Sequence, residues 1–128
     1  EYACRDRGRL QPYAWGWENI RPKENCGTCD TGGVRGRTVP VGSFYPNELG
    51  LYDMGGNVSE WCLDVYHKRI KKHNARKNDP KFENDHSPRV VKGGSFADNV
   101  SALRCTARKS ILFNMKSESI GFRLVLID

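Results

Sequence analysis

The sequence predicts one globular domain made of short strands and turns, with little helix. Its 128 residues suffice for a single hydrophobic core but not for two. Glycines punctuate the whole chain, and no stretch keeps the apolar spacing of a helix beyond about two turns. Apolar residues make up 38% and charged residues 28%, which excludes a disordered or collagen-like chain. No apolar run reaches the roughly 20 residues that a membrane-spanning helix requires.

One helix end and four strands are expected along the chain. Residues 1–9 are the best helical candidate and have the pattern of a helix that is ending. Short apolar runs bounded by turn residues predict strands at Val39–Phe44, Arg89–Lys92, Leu103–Arg108 and Gly121–Ile127. A long, charged, glycine-free segment runs from Asp64 to Pro88, and residues 67–88 within it are expected to form an exposed loop.

The net charge of +6 comes from one short segment. Six basic residues lie within ten positions and supply the whole excess: Lys68, Arg69, Lys71, Lys72, Arg76 and Lys77. Acidic residues follow at once, and no recognition-helix pattern or finger spacing accompanies the run. We therefore expect a solvated loop and no nucleic-acid partner, with an anionic partner as the alternative.

Five cysteines are too few for a disulfide-rich scaffold and more than a casual cytosolic content. Cys26 and Cys29 form a C-x-x-C pair. A zinc site would require a second cysteine pair or a histidine pair, and the three histidines are not spaced as one. A local disulfide or an ordinary thiol pair is favoured over a metal site.

A glycine-rich turn at residues 50–61 is the densest chemical signal. Asp53 and Glu60 bracket Gly55 and Gly56, and paired glycines let the chain turn tightly enough for nearby carbonyls to reach one ion. Backbone carbonyls with one or two carboxylates suit Ca²⁺, which takes six to eight oxygens. The alternative is an ordinary turn whose acids cap neighbouring backbone groups.

Several blocks occur in the order that is typical of a known family. They are Tyr2-Ala3-Cys4-Arg5, Tyr13-Ala14-Trp15-Gly16, Asn25-Cys26-Gly27, Thr38-Val39-Pro40-Val41-Gly42-Ser43-Phe44, the residue 50–61 turn, Arg89-Val90-Val91-Lys92-Gly93-Gly94-Ser95-Phe96 and Ile120-Gly121-Phe122-Arg123-Leu124-Val125. The chain resembles the formylglycine-generating enzyme, or sulfatase-modifying factor, family nearly from end to end. Family members carry an additional amino-terminal half. We therefore expect residues 1–128 to be one such domain lacking that half.

The resemblance implies an α+β fold related to C-type lectins, with short antiparallel strands and calcium stabilisation. One calcium site would use the side chains of Asp53 and Glu60 with the carbonyls of Met54, Gly56 and Val58. A second would begin at Asn25 and the carbonyl of Cys26. The remaining ligands of that second site fall near Gly33 and Arg35, where no carboxylate stands, and Asp30 is the nearest substitute.

The resemblance also implies a disulfide between Cys4 and Cys105. Cys26 and Cys29 would then be a local pair, which leaves Cys62 unpaired. Disulfides persist in oxidising compartments, so we expect an extracytoplasmic location.

The copper-binding cysteine pair of the family is missing. It stands just after the Gly-Gly-Ser block, where this chain has Phe96 to Leu103 without a cysteine. Because Cu(I) requires soft thiolate ligands, neither copper binding nor formylglycine generation is expected. Ser59 also replaces an aromatic residue that usually precedes the Glu-Trp of the family.

Two classes of function remain, and a divergent formylglycine-generating enzyme is a further alternative. The first, favoured and not enzymatic, is a binding domain with a lectin-like surface of the kind diversified by retroelements in some relatives, taking a protein or a small molecule. The second is an oxidative tailoring enzyme of the pyoverdine-maturation type, which requires a polar pocket. The candidate ligand-binding residues are Ser95, Phe96, Asp98, Asn99, Arg104, Arg108, Ile111 and Phe113. Core packing of residues 110–115 and structural ion pairing of the arginines are the alternatives.

Overall fold

In a computed structural model, the described residues are 1–17, 24–29, 36–69 and 86–126. They contain four strands: β1 at Ser59–Val65, β2 at Arg89–Lys92, β3 at Lys109–Ile111 and β4 at Ile120–Gly121. A 3₁₀ helix spans Val100–Leu103. These described ranges hold no α-helix, so the helical part of the expected α+β class is not seen in them.

The strands form one sheet in the order β3-β2-β1-β4. β2 lies antiparallel to both β1 and β3, with Trp61 opposite Val91 and Val91 opposite Lys109. β4 pairs parallel to β1, with Ser59 opposite Ile120. The expected short antiparallel strands are thus present as β1–β2 and β2–β3, and the parallel β1–β4 pair makes the sheet mixed.

Only one of the four predicted strands is correct. Arg89–Lys92 is confirmed as β2, with Val90 and Val91 both buried. Val39–Phe44 is irregular with a turn at Val41 and Gly42, and the amide of Val39 donates to the side chain of Asn57 instead of to a neighbouring strand. Of Gly121–Ile127, only Gly121 belongs to a strand, and Phe122 to Leu126 is irregular.

The predicted strand at Leu103–Arg108 is wrong. Leu103 ends the 3₁₀ helix, and the amide of Cys105 donates to the carbonyl of Pro12 at 2.7 Å. The carbonyls of Cys105 and Ala107 accept from the ammonium group of Lys92. Contacts from distant parts of the chain thus take the backbone groups that a ladder would use.

The predicted helix at residues 1–9 is wrong for a local reason. Two helix-like bonds do form, from the amide of Arg5 to the carbonyl of Glu1 and from Arg9 to Arg5. Between them, Asp6 and Arg7 adopt φ values of 45° and 68°. A left-handed conformation at two successive residues breaks a right-handed helix, so the segment is a series of turns.

Two disulfides tie the irregular segments together. Cys4 is bonded to Cys105 across 101 positions, and Cys26 is bonded to Cys29. Cys4 and Cys105 form a small buried cluster with Ala14, against which Trp15 and Met54 pack. Five other apolar residues are buried in the described part of the chain: Cys26, Val90, Val91, Phe96 and Leu103.

Candidate functional site

One face of the sheet carries a cavity of about 230 Å³. Its wall takes residues from all four strands: Ser59, Val91, Lys109 with Ile111, and Ile120. Ser59 pairs with Ile120 and Val91 with Lys109, and alternate residues of a strand share a face, so register alone places these side chains together. Residues 115–119 complete the wall through Met115, Ser117 and Ser119.

A second cavity of about 310 Å³ opens beside β2 and β3 and is basic. Four cationic side chains line it: Lys92, Arg104, Arg108 and Lys109. The 3₁₀ helix contributes Ser101 and Ala102 to the same wall. Val91 and Lys109 line both cavities, so the basic cavity and the sheet-face cavity adjoin at this cross-strand pair.

Asp98 positions Lys109 at the junction of the two cavities. Its Oδ1 accepts from the ammonium group of Lys109, and its Oδ2 accepts from the amide and the hydroxyl of Ser95 at 2.9 and 2.8 Å. Burial raises the pKa of Asp98, but the hydrogen bonds from Lys109 and Ser95 outweigh burial and leave it below the ordinary value of 3.8. The carboxylate is therefore ionised at neutral pH and fixes the lysine.

Lys92 and Arg108 are held by uncharged acceptors. Lys92 donates to the carbonyls of Cys105 and Ala107 at 2.8 and 3.0 Å, and burial lowers its pKa. Arg108 stacks over the ring of Tyr66 at 5.3 Å and donates to the carbonyl of His67. Among the described residues neither forms an ion pair, which is contrary to the structural ion-pair alternative for Arg108.

The structure divides the eight candidate ligand residues into two groups. Arg104 and Arg108 line the basic cavity, and Ile111 lines the sheet-face cavity. The remaining five do not line either one. Ser95 and Phe96 are buried, Asp98 pairs with Lys109, Asn99 accepts from Ser101, and Phe113 lies 5.1 Å from the ring of His86.

The sequence analysis missed the two lysines of the basic cavity. Lys92 ends β2 and Lys109 begins β3, so they come together only through strand register and a turn. The sequence feature that could have indicated Lys92 is its position directly after the apolar pair Val90-Val91. If that pair is a buried strand, the lysine ammonium group lies at the edge of the core.

A second region collects oxygen acceptors around Asn25 and the residue 53–57 turn. A Cβ at Gly56 would lie 2.5 Å from the carbonyl oxygen of Asn25, and Gly56 has a φ of 83°, so only glycine fits. The amide of Asn57 donates to that same carbonyl, and its side chain bonds both backbone groups of Val39. We call Glu24, Asn25, Asp53 and the surrounding turn the acceptor cluster.

Three buried oxygens in this cluster lack a hydrogen-bond partner among the described residues: Glu24 Oε2, Asn25 Oδ1 and Asp53 Oδ1. The other oxygen of Asp53 accepts from the amide of Gly42 at 2.8 Å. Burial raises the pKa of Glu24 to about 9, and the nearby charge of Asp53 adds to that effect. These three oxygens therefore lack donors within the described part of the chain, and the nearby charge of Arg123 only partly offsets the upward shift of the Glu24 pKa.

Glu60, the second predicted carboxylate ligand, faces Arg123. The guanidinium donates to both carboxylate oxygens at 2.6 Å and to the carbonyl of Asp53 at 3.0 Å. Among the described residues no three His, Cys, Asp or Glu side chains converge as a metal site. Because Arg123 occupies Glu60, a calcium ion here would depend on the unpartnered Oδ1 of Asp53 together with the amide and carbonyl oxygens of Asn25, Met54, Gly56 and Val58. The other predicted positions, Asp30, Gly33 and Arg35, lie outside the described residues.

A sequence profile of the family described as sulfatase-modifying factor enzyme 1-like domain matches residues 1–127. The chain belongs to the sulfatase-modifying factor family. This confirms the resemblance that the motifs indicate. This sulfatase-modifying factor domain is 32% identical to the formylglycine-generating enzyme of Mus musculus over 142 residues, covering 96% of the chain and 36% of the mouse protein.

Two solved structures are similar to this sulfatase-modifying factor domain. Treponema denticola variable protein 1 has a TM-score of 0.77 at 26% identity, covering 94% of this chain and 42% of that one. PvdO from Pseudomonas aeruginosa has a TM-score of 0.75 at 26% identity, covering 94% and 47%. The domain thus has the expected family fold and spans less than half the length of each of these proteins. Within its described ranges, no helix is long and apolar enough to cross a membrane.

Proposed function

We propose that this domain is a calcium-stabilised binding domain of the sulfatase-modifying factor family that does not generate formylglycine. Its ligand surface is the sheet face with its two adjoining cavities. The observation that carries the proposal is the state of the cysteines. Cys4, Cys105, Cys26 and Cys29 form two disulfides, and Cys62 is the single free thiol.

A Cu(I) centre of the family type would require two neighbouring thiolates, and one free cysteine cannot supply them. Cys62 is itself a poor ligand, because burial raises the pKa of its thiol and disfavours the thiolate. Asp98, in the stretch after Gly-Gly-Ser, is held by Lys109 and Ser95. Carboxylate oxygens are hard ligands, so this position does not replace a thiolate.

The acceptor cluster supports the calcium part of the proposal. Leaving a buried oxygen without a donor costs about 1–3 kcal/mol, and three such oxygens occur together at Glu24, Asn25 and Asp53. The donor set fits calcium, because it consists of carboxylate, amide and carbonyl oxygens on a tight turn. A bound divalent cation would satisfy these oxygens and would favour the ionised form of Glu24, whose pKa is raised in its absence.

An extracytoplasmic location is part of the same proposal. The long Cys4–Cys105 bridge and the local Cys26–Cys29 bridge require an oxidising compartment to persist. Millimolar calcium is also an extracellular condition, which suits a weak site of carbonyls and few carboxylates.

The second candidate function is an oxidative tailoring enzyme. The basic cavity favours it, because Arg104 and Arg108 supply the polar pocket that such chemistry requires. A divergent formylglycine-generating enzyme is the third, and the 32% identity to the mouse enzyme favours it. Both predict turnover of a substrate, whereas the binding-domain proposal predicts none.

Calcium removal tests the first part of the proposal. We expect chelation to lower the melting temperature, since an ion at about 100 times its Kd stabilises the native state by about 2.7 kcal/mol. Asp53→Ala should abolish that sensitivity, whereas the matched variant Asp64→Ala, which changes an exposed carboxylate, should keep it. Identical melting temperatures with calcium and with chelator would contradict the calcium site.

Copper titration and a peptide assay test the second part. The purified, disulfide-bonded domain should bind no stoichiometric Cu(I) and should leave a sulfatase-type cysteine peptide unoxidised. Tight copper binding, or conversion of the peptide cysteine, would overturn the binding-domain assignment whatever the calcium result.

A further inference from the structure

The two adjoining cavities carry complementary chemistry, and their combination specifies a ligand class. The basic cavity presents Lys92, Arg104, Arg108 and Lys109. Among the described residues that line it no carboxylate stands, and Asp98 outside the lining offsets only Lys109. Three of the four cations are therefore not paired with a carboxylate among the described residues, and a cavity with this excess of positive charge attracts an anion.

The sheet-face cavity is apolar at its centre. Val91, Ile111, Met115 and Ile120 supply its hydrocarbon wall, and Ser59, Ser117 and Ser119 also line it. Its volume of about 230 Å³ gives room for about seven groups of the size of a water molecule or a methylene. A short alkyl or branched aliphatic group fits that space, and a long acyl chain does not.

The junction of the two cavities determines whether one ligand can place an anionic group in the basic cavity and an apolar group in the sheet-face cavity. Val91 and Lys109 are opposite one another in the β2–β3 pair and line both cavities. The Lys109 ammonium is already oriented by Asp98, so its position is fixed before a ligand arrives. An anionic group beside Lys109 and an apolar group over Val91 can therefore belong to one small molecule or one residue.

We infer that this face binds a small amphipathic carboxylate, with its carboxylate in the basic cavity and its apolar chain of roughly six to eight heavy atoms over Val91. The inference rests on the proposed binding function and names the ligand class for it. Two sources present this chemistry: a free medium-chain acid, and the carboxyl terminus of a peptide that ends in an aliphatic residue. Arg104 would select for the negative charge of the ligand, and Met115 would select for its apolar chain.

Calorimetric titration of the purified domain in calcium, with octanoate as probe, tests this inference. Octanoate should bind at least tenfold more tightly than propionate, which lacks the chain, and than octylamine, which reverses the charge. Each methylene that enters the cavity should strengthen binding by about fourfold. A peptide ending in a free leucine carboxylate, compared with its amide, then distinguishes the peptide source from the free acid.

Three variants locate the site. Arg104→Gln should weaken octanoate about fivefold or more and leave the dependence on chain length unchanged. Met115→Gln should flatten the dependence on chain length. Lys116→Gln removes an exposed charge that lines neither cavity and should change nothing. Because Arg104 and Met115 are exposed, both variants should fold, and equal melting temperatures verify this.

Equal binding of octanoate and octylamine, or binding that neither Arg104→Gln nor Met115→Gln alters, would overturn the ligand class. That failure is separable from failure of the proposed function. The calcium and copper measurements use no carboxylate probe, so a calcium-dependent, copper-free domain that ignores octanoate would retain its function and lose only this inference.

Discussion

The acceptor cluster and the basic cavity are electrostatic opposites within one small domain. Around Glu24, Asn25 and Asp53, buried oxygens outnumber the donors that reach them. Around Lys92, Arg104 and Arg108, cations face a cavity whose described lining has no carboxylate. The first region is closed by backbone packed against backbone at Gly56, whereas the second is open to solvent.

This difference indicates how a chain with few regular elements separates stability from recognition. Where backbone segments pack closely, side chains cannot move to supply missing hydrogen-bond donors. A small ion can satisfy the unpartnered oxygens there, because folding brings its ligands together. Open cavities walled by long side chains tolerate changes of residue, which suits a ligand surface. The comparison predicts large stability effects where the backbone is constrained and small ones where side chains face the cavities.

The largest expected effect comes from the bridge that joins Cys4 to Cys105 in the buried cluster with Ala14. In the chain-entropy treatment, the Cys4–Cys105 loop of 101 positions contributes about 4–5 kcal/mol to the free energy of unfolding. Replacing both cysteines by alanine should therefore lower the melting temperature most. Denaturant unfolding of the double variant measures it.

The Cys26–Cys29 bridge, which directly follows Asn25 in the sequence, is the matched comparison. Its separation of three residues closes a very short loop, for which the same treatment gives about 2 kcal/mol. Equal losses from the two double variants would show that loop length does not govern these bridges.

The second prediction concerns Gly56, where the acceptor cluster is most constrained. Gly56→Ala forces a φ of 83° on a residue with a Cβ and places that Cβ 2.5 Å from the carbonyl of Asn25. We expect a loss of about 2–4 kcal/mol, from left-handed strain and from overpacking. Gly50→Ala is the control, since it has a φ of 73° and, among the described residues, nothing within 4 Å of the added Cβ.

Gly50→Ala should cost only the strain, about 1–2 kcal/mol. Unfolding curves of the two variants therefore separate backbone conformation from close packing. If both variants lose the same stability, the contact with Asn25 is not what constrains the turn.

The third prediction moves to the basic cavity and to Lys92. Its ammonium group donates to the carbonyls of Cys105 and Ala107, and hydrogen bonds to charged groups contribute about 1.5–3 kcal/mol. Burial lowers the pKa of Lys92 and offsets part of that gain. Lys92→Met should therefore cost about 1–2 kcal/mol in thermal unfolding, whereas Lys116→Met should be neutral. A stabilised Lys92→Met variant would show that desolvation outweighs the two bonds.

The sequence could predict the family and one strand, because both depend on local patterns. Arg89–Lys92 has a buried apolar pair between turn residues, and the motif blocks are contiguous. β1 was missed although Trp61, Leu63 and Val65 stand at alternate positions, because Cys62 between them weakens the apolar–polar alternation. The sequence analysis assigned residues 50–61 to a glycine-rich turn with Asp53 and Glu60 as ion ligands, so a strand beginning at Ser59 was not predicted.

The basic cavity could be predicted only in part, because its residues meet through distant contacts. Arg104 and Arg108 were proposed as candidates for a polar pocket, and both line the cavity. Lys92 and Lys109 required the β2–β3 register, which no local pattern fixes. The predicted strand at Leu103–Arg108 failed for the same reason, since the carbonyl of Pro12 and the ammonium of Lys92 take its backbone groups.

The smallest expected effect is the pH dependence of the Asp98–Lys109 pair. Because the pKa of Asp98 is lowered in the folded state, its contribution is complete above the unfolded value of 3.8 and is lost as the pH falls through the lower folded value. Asp98→Asn should cost less than about 1 kcal/mol at pH 7, and its deficit should shrink below pH 3.8. Melting temperatures between pH 7 and pH 2.5, compared with the exposed control Asp64→Asn, measure this. A deficit that stays constant across that range would show that the ion pair does not position Lys109.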